Sequence, residues 1–206
     1  MDFLTKFIQV LSVNKIALFI ELVTSALIAR YLGVTDYGIY VTIYLIPLFV
    51  SSIGSFGLGP SIIYHLNNFN KSYKKSEIFF TTAIFAIILG LLYYLLINFI
   101  FIDYLNYFII KNKFDPNLLT ISCFIIPILI LQKYIRQFLR GLYKIKEFTL
   151  IIKLLPSLIR LPVILCIIYI YNLRIEGLVF VPLIVQSIVT ITLIIVTLKQ
   201  FDFDSY

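Results

Sequence analysis

The chain alternates between long apolar segments and short polar connections, and this pattern predicts six membrane-spanning helices. The apolar runs fall at about 15–32, 37–64, 78–102, 117–132, 154–173 and 178–198. A helix needs about 20 apolar residues to cross roughly 30 Å of hydrocarbon, and each run is long enough or nearly so. The sequence therefore predicts an all-α, polytopic membrane protein, a single bundle of about six transmembrane helices over residues 1–206.

Composition supports the membrane assignment. Hydrophobic residues make up 61% of the chain, charged residues 13%, and the mean hydropathy is +1.03. Soluble domains average about 45–50% apolar and about 25% charged residues, so a soluble monomer could not hide this much apolar surface. The net charge of +7 comes from basic residues between the apolar runs. These residues carry topological information, and no nucleic-acid partner is expected.

The distribution of Lys and Arg predicts the orientation. With six spans, thirteen of the 17 basic residues lie on the side that holds both termini. Four lie on the opposite side: Arg30, Lys111, Lys113 and Arg174. Because cytoplasmic segments retain positive charge, both termini are predicted to be cytoplasmic in a multi-pass protein of the cytoplasmic membrane.

Side chains typical of catalysis or metal binding are sparse. Cys123 and Cys166 lie inside apolar runs without CxxC spacing, and His65 is the single histidine. Neither a disulfide framework nor a metal site is predicted. There is no nucleophile elbow and no HExxH motif, so we expect no catalytic residue, no cofactor and no enzyme activity.

A glycine cluster ends the second apolar run. Gly54, Gly57 and Gly59 precede Pro60 in the stretch SIGSFGLGPS. The spacing does not match a dinucleotide-binding loop, and the stretch follows a membrane run instead of a strand. We therefore expect close helix packing or a flexible helix end here.

Arg160 is the strongest candidate for a functional charge at membrane depth. Only thirteen residues separate it from the next polar boundary, so the fifth helix must begin near Leu154 and carry Arg160 into the membrane. Pro156 and Pro162 flank it and permit a kink. Two interpretations remain open: the arginine faces a polar cavity, or it snorkels to the cytoplasmic headgroups.

Glu21 lies well inside the first apolar run and shares a helical face with Asn14 and Ser25. A carboxylate at this depth can take up and release a proton during transport, which makes Glu21 a candidate for ion coupling. The alternative is a structural ion pair with a neighbouring helix, with Arg160 as one potential partner.

A row of basic residues follows the fourth apolar run. Lys133, Arg136, Arg140 and Lys144 are spaced three, seven and eleven residues from the first, so they form one stripe if the fourth helix continues. Such a stripe can bind a pyrophosphate, or it can anchor the protein to anionic lipid.

Three stretches in order carry a family resemblance. They are ARYLGVTDYGIY after the first run, FGLGPSIIYHL after the second and RGLYKIKEF after the fourth. The chain resembles the polysaccharide transporter branch of the multidrug, oligosaccharidyl-lipid and polysaccharide exporter superfamily, which includes O-antigen flippases. The third stretch departs from the family's usual Arg-Gly-Leu-Gly, because Tyr143 follows Leu142.

The resemblance implies a flippase that moves a polyprenyl-pyrophosphate-linked oligosaccharide from the cytoplasmic to the outer leaflet. Arg160, Arg136 and Arg140 are then candidates for binding the pyrophosphate, and Arg30 matches the family motif by position. Family members resemble two related bundles around a central cavity, and these residues correspond to the amino-terminal one. A fragment, a split-gene product and one subunit of a dimer all remain open, with a second half-transporter or a second copy as partner.

Three other functions remain open. A multidrug or toxic-compound extruder requires acidic cavity residues, of which Glu21 is the candidate at depth. A non-transporting membrane scaffold for glycan-assembly enzymes needs no such group. A membrane-embedded glycosyltransferase or polymerase requires large loops with paired catalytic groups, and the longest outer connection, 103–116, is short.

Overall fold

A computed structural model describes residues 2–54, 58–68, 75–105, 107, 117–142, 150–170 and 175–203. Within these ranges it describes side chains from residue 11 to residue 199, except at residues 58, 67 and 68. Every regular element in these ranges is helical, which confirms the all-α prediction. The α-helices are α1 (Asp2–Leu32), α2 (Val34–Ile53), α3 (Leu58–Asn68), α4 (Lys75–Leu96), α5 (Ile102–Leu105), α6 (Asn117–Cys123), α7 (Ile125–Gly141), α8 (Leu155–Tyr169) and α9 (Ile175–Phe203). A π-helical turn, Ile97–Phe101, joins α4 to α5, and another, Leu150–Leu154, leads into α8.

Six helical segments are long and apolar enough to cross a membrane, as predicted. In chain order, the first to sixth spans are Leu11–Leu32, Val34–Ile53, Lys75–Leu105, Asn117–Gly141, Leu150–Tyr169 and Ile175–Lys199. The large apolar side chains exposed on these spans, such as Phe19, Phe49 and Ile88, suit helices that face lipid.

Two predicted boundaries are wrong. The second apolar run, 37–64, is two helices, because α2 ends at Ile53 and α3 begins at Leu58. The fourth helix continues from the predicted end at Gln132 to Gly141. Its last turns remain helical because Ile135 and Phe138 are buried there while the basic side chains occupy another face.

The fourth span lies at the centre of the bundle. Ten of the 17 residues of α7 are buried, and α7 packs against α2, α3, α4 and α9. Small residues permit the closest approach. A Cβ atom at Gly90 of α4 would lie 2.6 Å from the Cα atom of Pro127, so the two helices meet there at backbone distance.

A single glycine joins the first two spans. Gly33 lies between Leu32 and Val34 with φ 81° and ψ 170°, a backbone conformation that is essentially restricted to glycine. Its N–H donates to the carbonyl of Ala29, and its own carbonyl accepts from the N–H of Tyr37. The glycine of the ARYLG stretch therefore makes the tight reversal between the two spans.

Candidate functional site

A cavity of about 260 Å³ lies beside the last turns of α7. Its basic lining residues are Lys133, Arg136 and Arg140, which confirms that these three share one helical face. The remaining lining residues are Gly59, Pro60, Tyr134 and Gln137. We call this space the cationic cavity. Lys144, the fourth member of the predicted stripe, lies outside the described residues.

Glycines bring α3 against α7 at this cavity. A Cβ atom at Gly59 would lie 2.7 Å from Cγ of Gln137, and one at Gly141 would lie 2.7 Å from Cδ1 of Leu66. The close helix packing predicted for the FGLG stretch is confirmed at Gly59, whereas Gly57 lies outside the described residues. The first turn of α3 therefore forms the wall opposite the basic side chains.

Two residues that line the cationic cavity contain buried polar atoms without a described hydrogen-bond partner. Within the described part of the chain, Nε of Arg136 and the hydroxyl oxygen of Tyr134 are buried without a hydrogen-bond partner. Nζ of Lys133 donates to Oγ of Ser52 at 3.1 Å. No acidic residue is among the described lining residues. Three basic side chains with no described acidic neighbour suit an anion with several acceptor oxygens.

Gln132, one turn before Arg136, is completely buried and holds the fourth and sixth spans together. Its amide nitrogen lies 3.0 Å from the carbonyl oxygen of Gln186, 2.9 Å from Oε1 of Gln186 and 3.0 Å from Oγ1 of Thr190. Its own Oε1 accepts from Nη2 of Arg136 at 3.2 Å. The Thr190 hydroxyl donates to the Gln186 carbonyl, so it presents a lone pair to Gln132. These neighbours fix which way the Gln132 amide points.

Arg160 lies near the middle of the fifth span, about ten residues or roughly 15 Å of helix from Leu150. Its Nη2 donates to the hydroxyl oxygen of Tyr40 at 3.2 Å, and its Cζ lies 5.5 Å from the ring centre of Tyr44. Nε of Arg160 is buried with no partner among the described residues. The guanidinium is therefore directed toward the second span inside the bundle.

The structure does not bring Arg160 into the cationic cavity, although both belong to one polar network. Tyr44, which stacks beneath Arg160, interacts with the side chain of Gln186. Gln186 contacts Gln132, and Gln132 contacts Arg136 at the cavity wall. A chain of polar side chains thus runs through the second, fourth, fifth and sixth spans.

Glu21 and Arg30 occupy less central positions. The Glu21 side chain is exposed, with Oε1 3.4 Å from Oγ of Ser157. Among the described residues it forms no ion pair with Arg160, although the two interact electrostatically. Arg30 is exposed in the last turn of α1. Because successive spans run in opposite directions, the end of the first span and the cationic cavity lie on opposite faces of the bundle.

Five residues of this network were not predicted as site residues: Tyr40, Tyr44, Gln132, Gln186 and Thr190. A signal for Gln186 is present in the sequence, because it is an amide inside an apolar run, where an unpaired polar group is costly. Gln132 is the last residue of its run, so its position gives no such signal. Their pairing depends on how the fourth and sixth spans pack, which spacing does not reveal.

The six apolar spans and the polar network inside them define an all-helical, multi-pass membrane protein. The model of a family described as "Polysaccharide biosynthesis protein" matches residues 3–206, and the chain belongs to this family. The resemblance inferred from the three sequence stretches is thereby confirmed, and it links the chain to polysaccharide biosynthesis. Comparisons with curated proteins and with solved structures found no match.

Proposed function

We propose that this protein is part of a flippase that moves a lipid-linked oligosaccharide across the cytoplasmic membrane. The cationic cavity carries the proposal. In it, Lys133, Arg136 and Arg140 surround a space of about 260 Å³ whose described lining includes no acidic side chain. Family membership supplies the context of polysaccharide biosynthesis.

The chemistry of a polyprenyl-pyrophosphate head group matches this lining. A pyrophosphate offers several anionic oxygens, and arginine binds such oxygens with two parallel N–H donors. Flipping breaks no covalent bond, so the proposal requires no catalytic group.

The cavity lining also favours an anionic cargo over a cationic drug. An extruder of cationic compounds needs carboxylates where its substrate binds, because opposite charges compensate for removal from water. Glu21, the candidate carboxylate at depth, is exposed on the first span and does not line the cationic cavity.

The proposal includes a second bundle and an orientation. Transporters built from paired repeats expose a central site alternately to either side by moving one repeat against the other. We propose that a second bundle of this kind supplies that repeat. With both termini cytoplasmic, the cationic cavity faces the leaflet in which the substrate is assembled.

The test uses cells that lack the gene and carry a plasmid copy of it. Arg136→Gln combined with Arg140→Gln should cause lipid-linked oligosaccharide to accumulate on the inner leaflet and surface polysaccharide to fall. We expect surface polysaccharide to fall about tenfold or more, because a hydrogen bond to a charged group contributes about 1.5–3 kcal/mol. Lys153→Gln is the matched control, since Lys153 is exposed and lies outside the cavity.

Membrane abundance of each variant is measured in the same cells, so that loss of protein is separated from loss of transport. Normal precursor and polymer levels in cells without the gene would refute the proposal. Normal glycans together with raised sensitivity to cationic drugs would instead favour an extruder.

A further inference from the structure

A second, larger space adjoins the cationic cavity. It has a volume of about 800 Å³ and lies between the second and third spans. Leu45, Phe49, Tyr93, Phe101 and Leu105 are among its lining residues, and its lining is almost wholly apolar. We call it the apolar groove. Its volume is in the range of about 300–1,000 Å³ that holds a small-molecule-sized group.

The two spaces meet at one hydrogen bond. Ser52 lines the apolar groove, Lys133 lines the cationic cavity, and Nζ of Lys133 donates to Oγ of Ser52 at 3.1 Å. The Ser52 hydroxyl in turn donates to the carbonyl of Leu48 in its own helix. A ligand with an anionic head in the cavity can therefore continue past this contact into the groove.

The groove also runs in the direction that such a ligand requires. On the second span its lining extends from Ser52 back to Thr42, about 15 Å of helix, whereas Gly59 and Pro60 of the cavity follow Ser52. With the predicted orientation, the groove therefore leads from the cavity into the bilayer and toward the outer side. A lipid of the inner leaflet places its charged head and its hydrocarbon chain in this same order.

We propose that the apolar groove holds the part of the polyprenyl chain nearest the pyrophosphate while the pyrophosphate occupies the cationic cavity. The inference rests on the proposed function. Bilayer lipid is as apolar as the groove, so the groove gains little hydrophobic energy from the chain. Its role is to orient the lipid so that the head group enters the cavity and the glycan follows.

The test uses photolabelling of the purified full-length protein in lipid nanodiscs. The probe is a prenyl pyrophosphate with a diazirine on the chain near the pyrophosphate. We expect labelling of Phe49 and no labelling above background of Ile88, which is matched in exposure at 59% against 66% but lies outside the groove. Excess unlabelled prenyl pyrophosphate should abolish the Phe49 signal, and the phosphate-free prenyl alcohol should not.

Equal labelling of Phe49 and Ile88 would overturn the inference, because the chain would then be dispersed over the lipid-facing surface. Competition by the prenyl alcohol for the labelling of Phe49 would also overturn the inference, because the groove would then bind any chain without regard to its head group.

A second variant separates this inference from the proposed function. Leu45→Trp fills the groove, and Ile84→Trp places the same side chain on an exposed position of the third span outside the groove. In cells, Leu45→Trp should reduce surface polysaccharide several-fold at normal abundance, and Ile84→Trp should not. If Leu45→Trp transports normally while the paired arginine variant fails, the groove inference is wrong and the flippase proposal stands. If photolabelling succeeds but loss of the gene leaves glycans unchanged, the proposed function is wrong.

Discussion

Replacing Gln132 with leucine should loosen the contact between the fourth and sixth spans. The change is close to volume-conserving, so it removes hydrogen bonds without creating a large cavity. The amide nitrogen contacts acceptors on Gln186 and Thr190 but has only two hydrogens, so two interhelical hydrogen bonds are lost. Interhelical hydrogen bonds in membranes average about 0.6 kcal/mol and reach about 1.7 kcal/mol. Gln132→Leu should therefore lower the free energy of unfolding by about 1–3 kcal/mol.

A double-mutant cycle with Thr190→Val isolates the shared contact. The coupling energy between the two substitutions should be about 0.6–1.7 kcal/mol if Gln132 bonds to Thr190 across the interface. Thr197→Val is the matched control. Thr197 is completely buried on the sixth span, and its hydroxyl donates within its own helix as that of Thr190 does, but it does not contact Gln132. Its effect should add to that of Gln132→Leu without coupling.

The assay is reversible unfolding in mixed micelles by titration with a denaturing detergent. The chain has no tryptophan, so helical content is followed by circular dichroism. A coupling energy near zero between Gln132→Leu and Thr190→Val, equal to that of the Thr197 control, would refute the assignment of Gln132 as the link between the two spans.

Three further predictions follow from the backbone geometry and the buried charge. Gly33→Ala should destabilise the protein by about 1–3 kcal/mol, because alanine disfavours the backbone conformation of Gly33. Gly38→Ala, in a helix with open space around it, should be neutral or slightly stabilising in the same titration. Gly90→Ala should lower the unfolding free energy more than Gly38→Ala does, because its Cβ would lie 2.6 Å from the backbone of Pro127; equal effects of the two would contradict the close approach. Arg160→Gln should accumulate precursor on the inner leaflet at normal abundance, and normal transport by this variant would show that the charge is not needed.

The number of spans could be predicted because apolar length alone decides whether a helix crosses a membrane. The predicted helix boundaries were less accurate where a helix extends beyond its apolar run. Beyond Gln132 the chain becomes basic, yet it stays helical because Phe138 and Leu139 keep one face buried. The break after Ile53 was missed for the opposite reason, since the chain remains apolar across the end of α2.

Individual charges at depth could also be identified from the sequence, but their partners could not. The membrane depth of Arg160 could be predicted from its distance to the next polar boundary. Its contact with Tyr40 could not, because the two residues are 120 positions apart in the chain. The cationic cavity was predicted only as a stripe on one helix. Its opposite wall depends on Gly59 and Gly141, which let α3 approach α7 by lacking side chains, and that requires knowledge of the packing.

The two arginine sites suggest an order of events for an anionic head group. Arg136 lies near the end of the fourth span beside the cationic cavity, and Arg160 lies at mid-span with its Nη2 donating to the Tyr40 hydroxyl. A phosphate oxygen carries negative charge, so its attraction to the guanidinium is stronger than that of a hydroxyl oxygen. A phosphate that moves inward from the cationic cavity can therefore displace Tyr40 from Arg160. In the proposed flippase, that exchange would weaken the contact between the second and fifth spans as the substrate reaches the middle of the bundle.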